Sequence, residues 1–137
     1  MKILIAEDDP LSSRIMQKLL SPHGNCEVAA NGLEAMEAFH KAYADKRAYD
    51  LICLDIMMPR MDGLEVLYQI RQLEGKRGID DQNRVKIIMT TALSDRKNVM
   101  RAVLGRCEAY LVKPIGKETL LEKLESLGLL PNKAESD

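Results

Sequence analysis

The sequence has no apolar run approaching the roughly 20 residues that a bilayer-crossing helix needs. It has no surplus of charge either: 20 Lys and Arg stand against 21 Asp and Glu, for a net charge of −1. A chain so balanced has no electrostatic basis for holding nucleic acid or an anionic membrane surface, so neither is expected as a partner. The three cysteines, Cys26, Cys53 and Cys107, are an odd number without a Cys-x-x-Cys pair. That fits reduced thiols better than disulfides or a zinc site, and Cys53, inside an apolar run, reads as a buried small hydrophobe. The start is apolar for only four residues before Glu7-Asp8-Asp9 turns it acidic, unlike a secretory leader. The expected location is the cytoplasm. Histidine is scarce, and His23 and His40 fall in a turn and on a helix, poor places for a phospho-carrier or a metal ligand.

What is present suffices for one domain, read as residues 1–130 with a short polar tail over 131–137. The chain is organised around Leu51-Ile52-Cys53-Leu54-Asp55. Four apolar residues in a row read as a strand buried on both faces. It ends in a carboxylate, and Ile56 to Gly63 forms a loop held by Pro59, with Asp62 placed to cap the next helix. Other strands read at Ile3–Ala6, Val28–Ala30, Val85–Met89 (running into Thr90-Thr91) and Ala109–Val112. Asp9-Pro10 starts a first helix, with Leu11, Ile15, Met16, Leu19 and Leu20 as its apolar stripe. Asn31 to Glu34 has capping-box spacing for a second helix, burying Ala35, Ala38, Phe39 and Ala42. A third helix is expected from about Gly63 to Glu74, on Leu64, Leu67, Ile70 and Leu73. A fourth is expected with Ser94 or Asp95 as cap and Val99, Ala102 and Val103 inward. A last one buries Leu120, Leu121, Leu124 and Leu127. Gly75 to Arg84 is a long polar loop, read as a tolerated insertion.

Five strand–helix repeats predict an α/β, doubly wound parallel sheet with helices on both faces. Ligands bind such sheets beyond the carboxyl ends of the strands. Glu7 and Asp8, Asp55, Thr91 and Lys113 occupy those ends. Taken singly, each also reads as an ordinary turn or solvated residue. Together, three crowded carboxylates need a cation. Mg²⁺ suits them, because it takes one or two carboxylates and leaves positions for phosphate oxygens. A carboxylate beside a hydroxyl and an ammonium is equipped to attack a phosphoryl group.

Glu7-Asp8, the Asp55-x-x-x-Pro59-x-x-Asp62-Gly63 loop, Thr91-Ala92 and Lys113-Pro114 together resemble the receiver domain of two-component response regulators, over about Lys2 to Leu127. The resemblance implies a flavodoxin-like (βα)5 fold with strand order 2-1-3-4-5, and a stand-alone, CheY-like signalling switch that is not an enzyme. It implies that Asp55 accepts a phosphoryl group from a sensor histidine kinase or a histidine phosphotransfer protein. By position, Asp8 and Asp55 bind Mg²⁺ (or Mn²⁺ in its place), Glu7 acts through water, and the Met57 carbonyl completes the ligands. Thr91 and Lys113 bind the phosphoryl group, and Lys113-Pro114 corresponds to a cis peptide. Tyr110 follows Thr91 and changes the surface of the fourth helix, fifth strand and last helix for an unidentified downstream protein, as a monomer or a weak phosphorylation-dependent dimer. A chemotaxis regulator or a phosphorelay shuttle both fit. An Asp-nucleophile phosphatase of similar fold would need an acid/base where Met57 stands, and an interaction module that takes no phosphate would not keep Asp8, Asp55, Thr91 and Lys113. Arg106 stands where the family commonly has glycine, so that helix end is expected to be shaped differently.

Overall fold

Residues 51–54 are uninterruptedly apolar because both faces of their strand are covered. The computed structural model describes residues 1–92, 100–102 and 105–131. Strands β1 (Lys2–Ala6), β2 (Asn25–Ala29), β3 (Leu51–Asp55), β4 (Lys86–Thr91) and β5 (Ala109–Val112) form one parallel sheet in the order β2-β1-β3-β4-β5. Side chains alternate across a strand, and the core divides accordingly. Leu4, Ile52, Leu54, Ile87 and Met89 meet Phe39, Val66, Leu67 and Ile70 on one face. Ile3, Ile5, Cys53 and Ile88 meet Met16, Leu20, Leu120 and Leu124 on the other. The covering helices are α2 (Gly32–Ala44) and α3 (Gly63–Lys76) on the first side, and α1 (Pro10–Leu20) and a C-terminal helix (Lys117–Ser126) on the second. Burial pushes the Cys53 thiol up to about 12, as befits a core side chain. None of the described helices is long and apolar enough to cross a membrane.

The helix starts follow the sequence closely. Asp9, Asn31 and Asp62 each accept a hydrogen bond from the amide three residues on, at 3.2, 2.9 and 2.9 Å, satisfying donors the helix itself leaves free. Several boundaries differ from the sequence-based expectation. β2 begins at Asn25, and Ala30 lies outside it. As an edge strand with its burial confined mainly to Ala29, it carries no apolar run. On α1, Ser13 belongs to the buried face, while Leu11 and Ile15 are 66% and 43% exposed. In the C-terminal helix Leu120 and Leu124 are buried, whereas Leu121, and Leu127 just past its end, are half-buried. The caps expected at Ser94 or Asp95, together with Val99 and Val103, lie outside the described residues. Ala102 is fully buried against the α2–α3 side of the core.

The 75–84 segment is more than an insertion. α3 runs on to Lys76, and the Arg77 guanidinium stacks 3.5 Å from the centroid of the Tyr43 ring. Glu74, buried, accepts the Val85 amide at 2.8 Å. Arg71 places each of its five N–H groups. Nε donates to the Arg106 carbonyl at 3.1 Å, and Nη1 to Glu74 and the Val85 carbonyl at 2.6 and 3.0 Å. Nη2 donates to both oxygens of Glu108 at 3.0 and 2.8 Å. Arg84 adds a bond to Glu108 at 3.1 Å, and Arg106 one to Asp81 at 2.8 Å. This ionic cluster ties α3, the loop and the approach to β5 together at the amino ends of β4 and β5.

Arg106 itself takes φ +71°, the left-handed conformation a glycine would adopt without penalty. An arginine thus holds a turn that suits glycine, and the rest of that helix end, residues 103 and 104, lies outside the described residues. Its partner Asp81 is exposed, so the ion pair contributes little. Arg106→Gly is expected to raise unfolding free energy by about 0.5–1 kcal/mol, read as a higher urea midpoint at unchanged slope.

Candidate functional site

Parallel strands with matched registers deliver their carboxyl ends to one rim. Ala6 pairs with Leu54, Asp55 with Thr90, and Thr91 with Val112, so the residues just past each strand are neighbours. Glu7 continues β1 by donating its amide to the Ala29 carbonyl at 3.0 Å. Asp55 is the last residue of β3, and the Ile56 amide donates to the Thr90 carbonyl at 3.0 Å. Lys113 follows β5 and donates its amide to the Thr91 carbonyl at 2.8 Å. The Lys113–Pro114 peptide is cis, as the sequence resemblance implies.

Carboxylate oxygens of Glu7, Asp8 and Asp55 lie within 4.8 Å of one another. The Lys113 ammonium sits among them, bonded to Glu7 Oε1 and, at 3.2 Å, to Asp55 Oδ2. Glu7 and Asp55 are buried, and Asp8 is exposed. Burial, reinforced by the neighbouring Asp55 and opposed by Lys113, pushes the Glu7 carboxyl up to about 7. For Lys113, burial works against the charge, but the bond to Glu7 and the Asp55 carboxylate outweigh it and raise its pKa.

The chemistry of this donor set fits a hard divalent cation: three carboxylates, no sulfur or nitrogen ligand, and one solvent-facing member. A second observation agrees. Glu7 Oε2 is buried and has no hydrogen-bond partner among the described residues, an expensive condition for a carboxylate unless a cation completes it.

Other residues expected at the site are placed less directly. Thr91 is buried at the end of β4, and its hydroxyl donates to the Ala92 carbonyl at 3.3 Å rather than to a carboxylate. Met57 faces solvent at 64% exposure, and its amide donates to Asp55 Oδ1 at 3.3 Å. Tyr110 is 43% exposed on the edge strand β5. Two glycines clamp the loop that follows Asp55. A Cβ on Gly63 would stand 2.2 Å from the Asp55 carbonyl oxygen, and one on Gly32 2.0 Å from that of Met61. Sequence reading assigned these glycines to helix starts; the close approach of Gly32 to a loop thirty residues away has no local signal. It also missed the direct Glu7–Lys113 pair.

A family model described as the response regulator receiver domain matches residues 3–125. The chain belongs to this family. Similar proteins agree. The receiver is 37% identical over 118 residues to the hybrid signal transduction histidine kinase G of Dictyostelium discoideum, covering 84% of this chain but 3% of the kinase. The receiver domain of Ssk1 from Saccharomyces cerevisiae, solved with the histidine phosphotransfer signalling protein Ypd1, superposes with a TM-score of 0.78 at 27% identity, over 97% of this chain and 94% of that one. The CheX–CheY–BeF3–Mg complex from Borrelia burgdorferi gives a TM-score of 0.78 at 26% identity, over 93% and 89%. This receiver spans 55% of a Porphyra purpurea transcriptional regulator and 50% of VanRB of Enterococcus faecalis, but 81% of the chemotaxis protein CheY of Treponema pallidum.

Proposed function

We propose that this receiver is a phosphorylation-driven switch in which Asp55 takes a phosphoryl group from a phospho-histidine of a sensor kinase or phosphotransfer protein. The observation that supports it is the meeting of Glu7, Asp8, Asp55 and Lys113 at one rim. An Asp55 carboxylate oxygen attacks phosphorus, an O–P bond forms, and the bond to the donor breaks with its electron pair leaving on the donor. The Met57 amide holds Asp55 Oδ1, which orients the attacking group. Lys113 offsets negative charge on the transferred oxygens. Mg²⁺, held by Asp8 and Asp55 with Glu7 behind, with the Met57 carbonyl as a further ligand and Mn²⁺ a substitute, would supply the remaining charge compensation. Thr91 would then turn its hydroxyl from Ala92 to the phosphoryl oxygens, and Tyr110 would follow, altering the β5 surface for a downstream protein. The proposed setting is the cytoplasm. The chain assists only its own phosphorylation and dephosphorylation and turns over no substrate. The yeast relative, a regulator downstream of the phosphotransfer protein it was solved with, supports such a protein as the donor; the second reading is a phosphorelay shuttle that passes the group on to a histidine phosphotransfer protein.

The deciding experiment is intact mass after incubation with acetyl phosphate and Mg²⁺. One phosphoryl group should add to the native chain and none to Asp55→Asn, and chelation by EDTA should abolish labelling. Labelling of Asp55→Asn equal to native would overturn the assignment.

Met57 cannot orient an attacking water, so the aspartyl phosphate should outlast seconds in Mg²⁺ without a phosphatase. Met57→Asn should shorten its half-life by about tenfold, a conservative fraction of what a positioned proton acceptor supplies. A native half-life of seconds would contradict this.

A further inference from the structure

The turn from β2 into α2 carries no residue of the rim, yet it touches both sides of it. On one side the Glu7 amide donates to the Ala29 carbonyl at 3.0 Å, which ties the end of β1 to the end of β2. On the other side Gly32, the first residue of α2, lies against Met61. A Cβ at Gly32 would stand 2.0 Å from the Met61 carbonyl oxygen and 2.7 Å from its carbonyl carbon. Met61 belongs to the loop that leaves Asp55, and that loop is cross-linked within itself. The Met61 amide donates to the Pro59 carbonyl at 2.8 Å, and the Gly63 amide to the Ile56 carbonyl at 2.9 Å. Gly63 in turn has no room for a side chain over the Asp55 carbonyl oxygen. A displacement at Met61 therefore reaches Asp55 through backbone with little slack. The turn itself is stiff. Asn31 Oδ1 accepts the Glu34 amide at 2.9 Å, and Asn31 Nδ2 donates to Glu34 Oε2 at 3.0 Å. Glu34 Oε1 accepts the Ala30 amide at 3.3 Å, so side chain and backbone close on each other as in a capping box.

We propose that residues 29–32 form a bracket that sets the gap between Glu7 and the Asp55 loop, with Gly32 as a positioning residue for the carboxylate pocket. The inference rests on the reading of Asp55 and its Mg²⁺ given above. Glu7 and Asp8 arrive on one segment and Asp55 on another, so their spacing has to be held from outside the pocket. Mg²⁺ is strict about that spacing, because it is small and demands near-ideal ligand geometry. Groups that orient the ligands of a metal without touching it typically change its affinity by about 10–100-fold. Gly32 acts from further out still, through main chain alone. What a side chain at this position would strike is a carbonyl, which cannot swing aside as a flexible side chain would.

The test is a Mg²⁺ titration of the full chain, read from the amide NMR signals of Glu7, Asp8, Asp55 and Met57, in Gly32→Ala and in Gly24→Ala. Gly24 is the matched control. Its Cβ would strike the Met1 carbonyl oxygen at 2.2 Å, the same kind of clash at the other end of β2. That end is roughly 17 Å from the rim along a five-residue strand. Both variants should unfold at lower urea. Only Gly32→Ala should bind Mg²⁺ more weakly, by about tenfold. At saturating Mg²⁺ it should also label with acetyl phosphate at least about tenfold more slowly. Asn31→Ala loosens the same turn without a clash, and it should weaken Mg²⁺ binding by about threefold. Native affinity and labelling in a folded Gly32→Ala would overturn the bracket, as would native affinity in Asn31→Ala where Gly32→Ala does not fold. Equal losses in Gly24→Ala would overturn it too, since the effect would then be general destabilisation. A native chain that neither binds Mg²⁺ nor labels would overturn the reading of Asp55, and the bracket with it.

Discussion

Arg71→Ala should lower unfolding free energy by about 3–5 kcal/mol. The guanidinium is 8% exposed and bridges two carboxylates that are nearly as buried, Glu74 and Glu108 at 6% and 7%. Removing it strips two bonds from Glu108 and one from Glu74, and it frees the Val85 and Arg106 carbonyls. Arg84 then remains as the only described cation bonded to Glu108. The carboxylates keep their amide donors, so they stay fixed inside, undercompensated. Urea unfolding reads the effect directly. With a slope of about 1–3 kcal/mol per molar, the midpoint should fall by roughly 2 M. Arg71→Lys should recover little, since one ammonium cannot serve a fork of acceptors on three elements. A loss under about 1 kcal/mol would mean the cluster is ornamental.

Gly63→Ala should damage stability and phosphorylation together. The new methyl would stand 2.2 Å from the Asp55 carbonyl oxygen and 3.1 Å from the Ile56 Cα, both backbone atoms that cannot swing aside. The strand end or the start of α3 must move, at a cost of about 3 kcal/mol. The displaced part carries Asp55, and a misplacement near 1 Å costs about a hundredfold in rate. Acetyl phosphate labelling followed by intact mass should show that loss even where circular dichroism shows a folded chain. Gly75→Ala is the control: nothing lies within 4 Å of its Cβ position, and within α3 it should be neutral or stabilising by about 0.5–1 kcal/mol.

The two variants mark the limits of what could be read from the residues alone. β1, β3 and β4 were legible because buried parallel strands advertise themselves as apolar runs, β5 because it is apolar although it lies on a partly exposed edge, and the helix starts because Asp9, Asn31 and Asp62 are capping residues. The rim residues were legible as strand ends. The start of β2 was not, since Asn25 and Glu27 lie on an exposed edge and carry no apolar pattern. Arg71 and Glu74 look like a solvated pair on α3; only Glu108, 37 positions beyond Arg71, turns them into interior residues. The left-handed backbone at Arg106 has no local signal either, since an arginine side chain gives no sign of it. Lys113 and Glu7 are 106 positions apart, beyond any local pattern.

The ionic cluster around Arg71 stands at the opposite end of the sheet from Asp55, and a five-residue strand puts roughly 17 Å between those ends. Anchorage and reactivity therefore occupy separate floors of one building. On the proposed function, selection could retune lifetime and partner at the upper floor, through side chains such as Met57, while the lower one keeps the chain upright.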